Sequence, residues 1–414
     1  MVLSQSFYIF KFEINQSKKN RMKKAQLLVA FFLIVSFVNA QNATKKSDKQ
    51  IKREQKRARK DSIRTEKIAK GKFIINPIAA PAYTPELGAL IAAGGLMSFK
   101  TNPTDSLIQR SSMPFTIAYT STGAIVANAL LTSYWFKDKL RLNMDLWYKD
   151  MPDNYWGVGY ESAYNNYQSD STTAYNRQWW WFNPRFLYQF KPNYFVGLNV
   201  DYNYTLGSDA SAGVATDSIY NKYQDKPMNS GLGLILRYDS RDVPVNAWSG
   251  ILIDLRGTFY STALGGDNKY QVYLLDYRQF KTISREGQVF AWQVKTRLAF
   301  GDVPYGEMSQ LGTPFDLRGY MWGRYRNNNL FYFMGEYRHT FTKKTGELSK
   351  HGMVAWLASG TIFDTETAEN NTIKWLPNLG IGYRFEIQPR MNIRFDFGIG
   401  RETSGIYFNF NEAF

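Results

Sequence analysis

Large apolar and polar residues alternate along most of this chain. In FAWQVKTRLAF, Phe290, Trp292, Val294, Leu298 and Phe300 share one face, while Ala291, Gln293, Lys295, Arg297 and Ala299 share the other. A period of two is the signature of a β-strand, whose successive side chains point to opposite faces. In LGIGYRFE, Leu379, Ile381, Tyr383 and Phe385 oppose Gly380, Gly382, Arg384 and Glu386. In NIRFDFGIG, Ile393, Phe395, Phe397 and Ile399 oppose Arg394, Asp396, Gly398 and Gly400. These strands carry bulk on one side and charge with glycine on the other. Between them, PTDSLIQRSSMP (103–114), YKDMPDNYWG (148–157) and GDNK (266–269) read as turns or exposed loops. The polar stretches 161–177 and 208–230 read as longer outside loops.

Two architectures suit such strands. A soluble sandwich buries the apolar faces against each other. A transmembrane barrel turns them to lipid and collects charge in its lumen, closing the sheet so that no unpaired edge meets hydrocarbon. Composition favours the barrel: the chain holds 29 Phe, 28 Tyr and 11 Trp, and its last residue is Phe414. After the start of the chain no apolar run reaches the roughly 18 residues of a spanning helix. The expected fold over 73–414 is therefore an all-β, antiparallel transmembrane barrel. Sixteen strands need about 21 residues each with their turns and loops, and fourteen to eighteen fit nearly as well.

The start of the chain sets the compartment. Met22, Lys23 and Lys24 precede the apolar LLVAFFLIVSFV and then Asn39, Ala40 and Gln41, which together make a basic n-region, an h-region and a cleavage site after Ala40. This makes 22–40 a signal peptide and 1–21 an upstream extension, a long n-region being the alternative. Export follows.

Charge is localised. The formal net charge is +16, but residues 43–72 hold 13 Lys or Arg against 4 Asp or Glu, and from Phe73 onward the excess is only +2. Residues 41–72 read as a basic periplasmic arm or linker, with contact to anionic headgroups or an acidic periplasmic partner as the alternative. An exported chain with a nearly neutral body is no nucleic-acid binder. Zero Cys excludes a thiolate cluster, and His339 and His351, the two histidines, cannot make a histidine-rich metal centre. No G-x-S-x-G elbow occurs and no nucleophile stands beside an oriented base, so neither enzyme activity nor a cofactor or metal is expected.

RYDSRDVPVNAWSG (237–250), PFDLRGY (314–320), GEYRH (335–339), GIGYRFEIQPRMNIRFDFG (380–398) and the terminal IYFNFNEAF, with YTPELG (83–88) ahead of them, resemble the bacterial surface antigen or Omp85 superfamily of outer-membrane barrels. The resemblance spans most of 73–414. It implies sixteen strands and a long extracellular loop folded into the lumen, where an arginine meets acidic groups of the wall. By resemblance that arginine is Arg318, in a latch with Gly319, which allows a tight backbone path, and Tyr320. Glu336 is the first expected partner and Asp396 the second, because the rigid guanidinium fork suits carboxylates. Arg338, Arg384, Arg394, Asp239, Arg241 and Asp242 complete a luminal network, the last three read mainly as charges at a turn and the start of the next strand.

Two departures from the family pattern stand out. Its acidic wall position falls on Ala358 here, which reroutes the latch through Glu336. Between Gln41 and Phe73 there are about 32 residues, too few for a POTRA module of about 75, so the resemblance is to a barrel-only branch. It implies a barrel that assists insertion or translocation of membrane proteins, or lipid assembly, without covalent chemistry. A passive channel or structural barrel is the alternative. Expected partners are outer-membrane lipids, client outer-membrane proteins or accessory subunits; monomer, dimer and larger complex all stay open.

Overall fold

The computed structural model describes residues 48–84, 88–105, 108–121, 123–365 and 372–414. The extension and signal segment expected at 1–40 lie outside them. The chain divides into two compact units, 1–63 and 64–414. Helix α1 (Asp48–Ala69) begins in the first and ends in the second. Within the second unit its exit is held by Arg110, whose Nη1 donates to the Ile68 carbonyl at 3.2 Å and whose Nη2 donates to that of Lys72 at 2.9 Å.

From there the chain is strand. β1 (Ile74–Thr84), β2 (Gly88–Phe99), β3 (Ser111–Thr120), β4 (Ile125–Trp135), β5 (Leu140–Asn154) and β6 (Ala174–Lys191) run as antiparallel neighbours. So do β7 (Tyr194–Ser208), β8 (Met228–Asp239), β9 (Gly250–Tyr260), β10 (Tyr270–Thr282) and β11 (Gln288–Gly301). A long loop follows, carrying the two-residue strands β12 (Ser309–Gln310) and β13 (Arg326–Asn327), which pair with each other. β14 (Asn329–Thr342) then pairs with β11, and β15 (Leu348–Phe363), β16 (Leu376–Gln388), β17 (Met391–Ile399) and β18 (Ser404–Phe410) bring the sheet back to β1. Sixteen strands close the barrel.

Which face is wet separates barrel from sandwich. Along β7, Leu198 and Val200 are exposed while Asn199 and Asn203 between and beyond them are fully buried. On β8, Leu232, Leu234 and Leu236 are all exposed. Polar groups inside and aliphatic groups outside are the inverse of a soluble protein and the requirement of a lipid-facing wall. Exposed Trp135, Phe136, Tyr188, Phe190 and Tyr194 gather beside the short turns at 136–139 and 192–193, as in the aromatic belts of membrane interfaces. Among the described residues no helix is long and apolar enough to cross a membrane.

The longest loops lie at the end opposite the turns at 136–139 and 192–193. The loop over 155–173 holds α2 (Tyr160–Asn165), and that over 209–227 holds α3 (Ala212–Ala215) and α4 (Ser218–Tyr223). Asp217 caps α4, accepting from the Ile219 and Tyr220 amides at 2.9 and 2.8 Å and from the Tyr155 hydroxyl at 3.0 Å. Several strands reach further than the turn signals imply. YKDMPDNYWG reads as a turn, yet β5 runs to Asn154, because Lys149, Met151 and Asp153 keep the inward phase. Strand likewise claims 111–114, 174–177 and 228–230 from segments expected to be loop. Polar residues on an inward phase look like loop in a sequence and serve as wall in a barrel.

The closure is thin. β1 makes eleven residue pairs with β2, from Ile74↔Ser98 to Thr84↔Gly88. Among the described residues it meets β18 through one pair, Tyr83↔Ile406. Pro77 and Pro81 lie in β1 and have no amide hydrogen, a lack tolerated on the poorly bonded side of a strand.

Candidate functional site in the barrel lumen

The loop from Asp302 to Asn328 bends into the lumen with Arg318 near its tip. Asp316 shapes the approach: its Oδ1 accepts from the Gly312 and Thr313 amides at 2.9 and 2.8 Å, and its Oδ2 from the Thr313 hydroxyl at 2.6 Å. Gly319 follows at φ +110°, in the left-handed region that favours glycine. Its amide donates to the Tyr407 hydroxyl at 2.9 Å, and its carbonyl accepts from Thr403 Oγ1. The tip rests on the backbone of β17, so closely that a Cβ at Gly398 would stand 2.2 Å from the Arg318 carbonyl oxygen.

Arg318 is fully buried. Its Nη1 donates to Asp396 Oδ2 at 2.6 Å and its Nη2 to Glu336 Oε1 at 2.7 Å. The guanidinium lies 3.5 Å from the ring centroid of Trp356, a cation–π contact in a water-poor site. Trp356 is held in turn by Asn378, whose Oδ1 accepts from Nε1 at 2.9 Å and whose Nδ2 donates to the Arg318 carbonyl. Asp396 also accepts from Arg384 at 2.6 Å and Arg394 at 2.9 Å, and Arg394 donates to the loop carbonyl of Pro314 at 3.0 Å. Glu336 pairs with Arg338 at 3.0 Å, and Glu412 with Arg384 at 2.8 Å. Charges buried this deeply persist only with partners, so four guanidiniums and three carboxylates form one interdependent set.

Of the sequence-expected residues, the structure thus brings Arg318, Glu336, Arg338, Arg384, Arg394 and Asp396 together. Tyr320 is buried on the same loop, its hydroxyl donating to the Pro377 carbonyl at 2.7 Å. Asp239, Arg241 and Asp242 stand apart. Asp239 binds Arg141 at 2.6 Å and Arg241 at 2.8 Å. Asp242 is not a luminal residue: it lies in the turn after β8, where its Oδ1 accepts from the Val243 and Trp248 amides at 2.8 and 3.0 Å and its Oδ2 binds Arg390 at 2.9 Å. Its carboxylate partners lie within that connection and in the β16–β17 turn, not on the loop tip. Ala358 is buried opposite Met334, and the acids facing Arg318 come from neighbouring strands instead. Trp356, Asn378 and Gly398 were missed from the sequence; the inward phase they share with Ala358 and Asp396 was the available signal.

Nearer the start of the loop, Glu307 faces the lumen. Burial pushes its carboxyl up to about 8 and nearby Asp201 pushes the same way, against Arg297 and Arg177. Because its folded value exceeds the ordinary one, the stabilisation is complete at acid pH and is lost as pH rises through about 8. Proteolysis of the 302–308 segment is therefore expected to accelerate between about pH 5 and 8, and Glu307→Gln to flatten that profile. An unchanged profile in the variant would refute the assignment. Among the described residues no group of His, Cys, Asp or Glu could hold a metal ion.

A closed sixteen-stranded wall, apolar outside and charged inside with a loop tied into its lumen, defines a bacterial outer-membrane β-barrel. Residues 114–414 match the Omp85 superfamily domain, and the chain belongs to that superfamily. No curated protein matches the sequence. Among solved structures, CdiB from Escherichia coli is similar at 9% identity and TM-score 0.52, over 81% of this chain and 62% of that one. BamA from Haemophilus ducreyi lacking POTRA domains 1–3 matches at 15% identity and TM-score 0.49, over 82% of this chain and 69% of that one. CdiB from Acinetobacter baumannii matches at 9% identity and TM-score 0.49, over 82% and 59%. The chain thus spans about three-fifths of the CdiB chains it resembles.

Proposed function

We propose that this protein assists the insertion or translocation of outer-membrane proteins, or lipid assembly, by opening its wall between β1 and β18. The carrying observation is the seam, where Tyr83↔Ile406 is the one pair among the described residues, against eleven between β1 and β2. Backbone groups left unpaired there would be costly in hydrocarbon and can instead template an incoming strand. The Arg318 cluster serves as a latch: it ties the loop to β14 and β17, so the interior stays plugged and rigid while the seam yields. The basic arm over 41–72 would dock accessory subunits or headgroups, between signal peptide and barrel.

The chain has no cysteine, which makes a clean test possible. The Tyr83→Cys/Ile406→Cys variant, oxidised in the outer membrane, is expected to abolish crosslinking of nascent barrel proteins to the seam, and reductant to restore it. Unimpaired crosslinking in the locked barrel would exclude lateral opening. If client crosslinks are absent from the unlocked protein as well, and it conducts ions in a bilayer, it is a passive channel.

A further inference from the structure

Beside the latch, the lumen encloses a chamber of about 610 Å³. Its acids are largely committed. Asp145 holds Arg185 through two bonds of 2.6 and 2.9 Å, and Asp276 binds Arg278 at 2.5 Å and Gln293 at 2.8 Å. Asp254 is taken by Arg237, and Asp201 by Trp181, Asn183 and Asn203.

Two of the described cations on the same walls have no carboxylate within ion-pair distance, and two more are only loosely paired. Among the described residues Lys295 has no carboxylate in ion-pair range, and Arg297 has none either, donating only to Ser309 Oγ at 2.9 Å and the Glu307 carbonyl at 2.8 Å. Arg256 reaches Asp254 only at 3.4 Å, and its buried Nε has no partner. Arg177, itself nine-tenths buried, reaches Asp153 only at 3.5 Å, and its Nε is likewise unpartnered. Register places the three on β9 and β11 together, while Arg177 lines the same chamber from β6. Arg256 on β9 pairs with Leu274 on β10, which pairs with Arg297 on β11, so both guanidiniums leave the same face about 10 Å apart at the backbone. Lys295 is two residues along β11 on that face. Glu307, facing them, carries little charge at neutral pH.

Cations with few or distant carboxylates in a confined space are costly unless something neutralises them, and the forked donors of arginine match phosphate oxygens. We propose that the chamber binds a soluble phosphate-bearing anion, held by Arg256, Lys295, Arg297 and Arg177. A free solute fits better than a lipid headgroup, because the paired wall of β9, β10 and β11 gives acyl chains no exit. At the long-loop end Tyr155, Tyr175, Tyr220 and Tyr305 pack ring to ring at 5.1–6.4 Å.

The test uses the full barrel in neutral-lipid nanodiscs, titrated with inorganic pyrophosphate and read by thermal unfolding against sodium chloride of equal ionic strength. Pyrophosphate is expected to raise the midpoint saturably. Lys295→Gln/Arg297→Gln should weaken its apparent affinity by roughly tenfold or more, from loss of charge-assisted hydrogen bonds, whereas Lys191→Gln at the exposed rim leaves it unchanged. Heat-modifiable gel mobility confirms that each variant is folded. No shift beyond the chloride control, or an equal shift in the double variant, overturns the proposal. So does a shift produced by phosphatidic acid nanodiscs but not by pyrophosphate.

Discussion

Asp396→Ala is expected to destabilise the folded barrel by about 3–5 kcal/mol, the range for removing one member of a buried ion set. This single carboxylate answers Arg318, Arg384 and Arg394, and all three are deeply buried. Without it three guanidiniums face one another in a water-poor site, so the loop that can leave will leave. The expected readouts are a lower unfolding midpoint and rapid tryptic cleavage near the tip, at Arg318 and Arg324. Arg318→Ala should lower the midpoint likewise, with cleavage at Arg324 alone, and the double variant should cost less than the sum, because each substitution breaks the same contact. Arg318→Lys should rescue poorly, since an ammonium cannot bridge Asp396 and Glu336 while lying flat on Trp356. Leu357→Ala, on the exposed outer face, is the control. A protected loop and an unchanged midpoint in Asp396→Ala would show that the ion set does not hold the loop.

The second large effect comes without touching a charge. Gly398→Val would put its Cβ 2.2 Å from the Arg318 carbonyl oxygen and 2.6 Å from its carbonyl carbon, both of them backbone atoms. No side-chain rotation relieves that overlap, so the loop tip must move away from β17. The expected result is loop cleavage comparable to that of Asp396→Ala, at a cost of about 3 kcal/mol, the upper end for overpacking a tight interior. Wild-type protection in this variant would mean that the loop does not rest on the strand as described. Together the two substitutions separate charge from shape: one removes the attraction, the other the space.

How far these features could be read in the sequence depended on their range. Alternation around Phe290–Phe300, Leu379–Glu386 and Ile393–Gly400 assigned lumen and lipid phases correctly, because strand geometry ties a residue's face to its parity alone. The same rule was overlooked at Lys149, Met151 and Asp153, where turn-like composition masked an inward phase. Arg318 stood out through the blocks around it.

Local sequence therefore determined an exported, all-strand chain with charge on the inner face, and marked the loop arginine. The number of strands was decided only by closure, and so was the meeting of Arg318 with Glu336 and Asp396 at once, which the resemblance ranks as first and second partners. Strand count follows from how many neighbours complete the ring. Asp396 lies 78 residues from Arg318, and no periodicity encodes which strand a returning loop will lean on. The stacking of Arg318 on Trp356, the backbone contact at Gly398 and the separation of Asp242 from the lumen all arise from register carried around sixteen strands. The loosely neutralised cations along the chamber wall arise the same way, because a sequence shows which residues point inward, and only the closed barrel shows which of them meet.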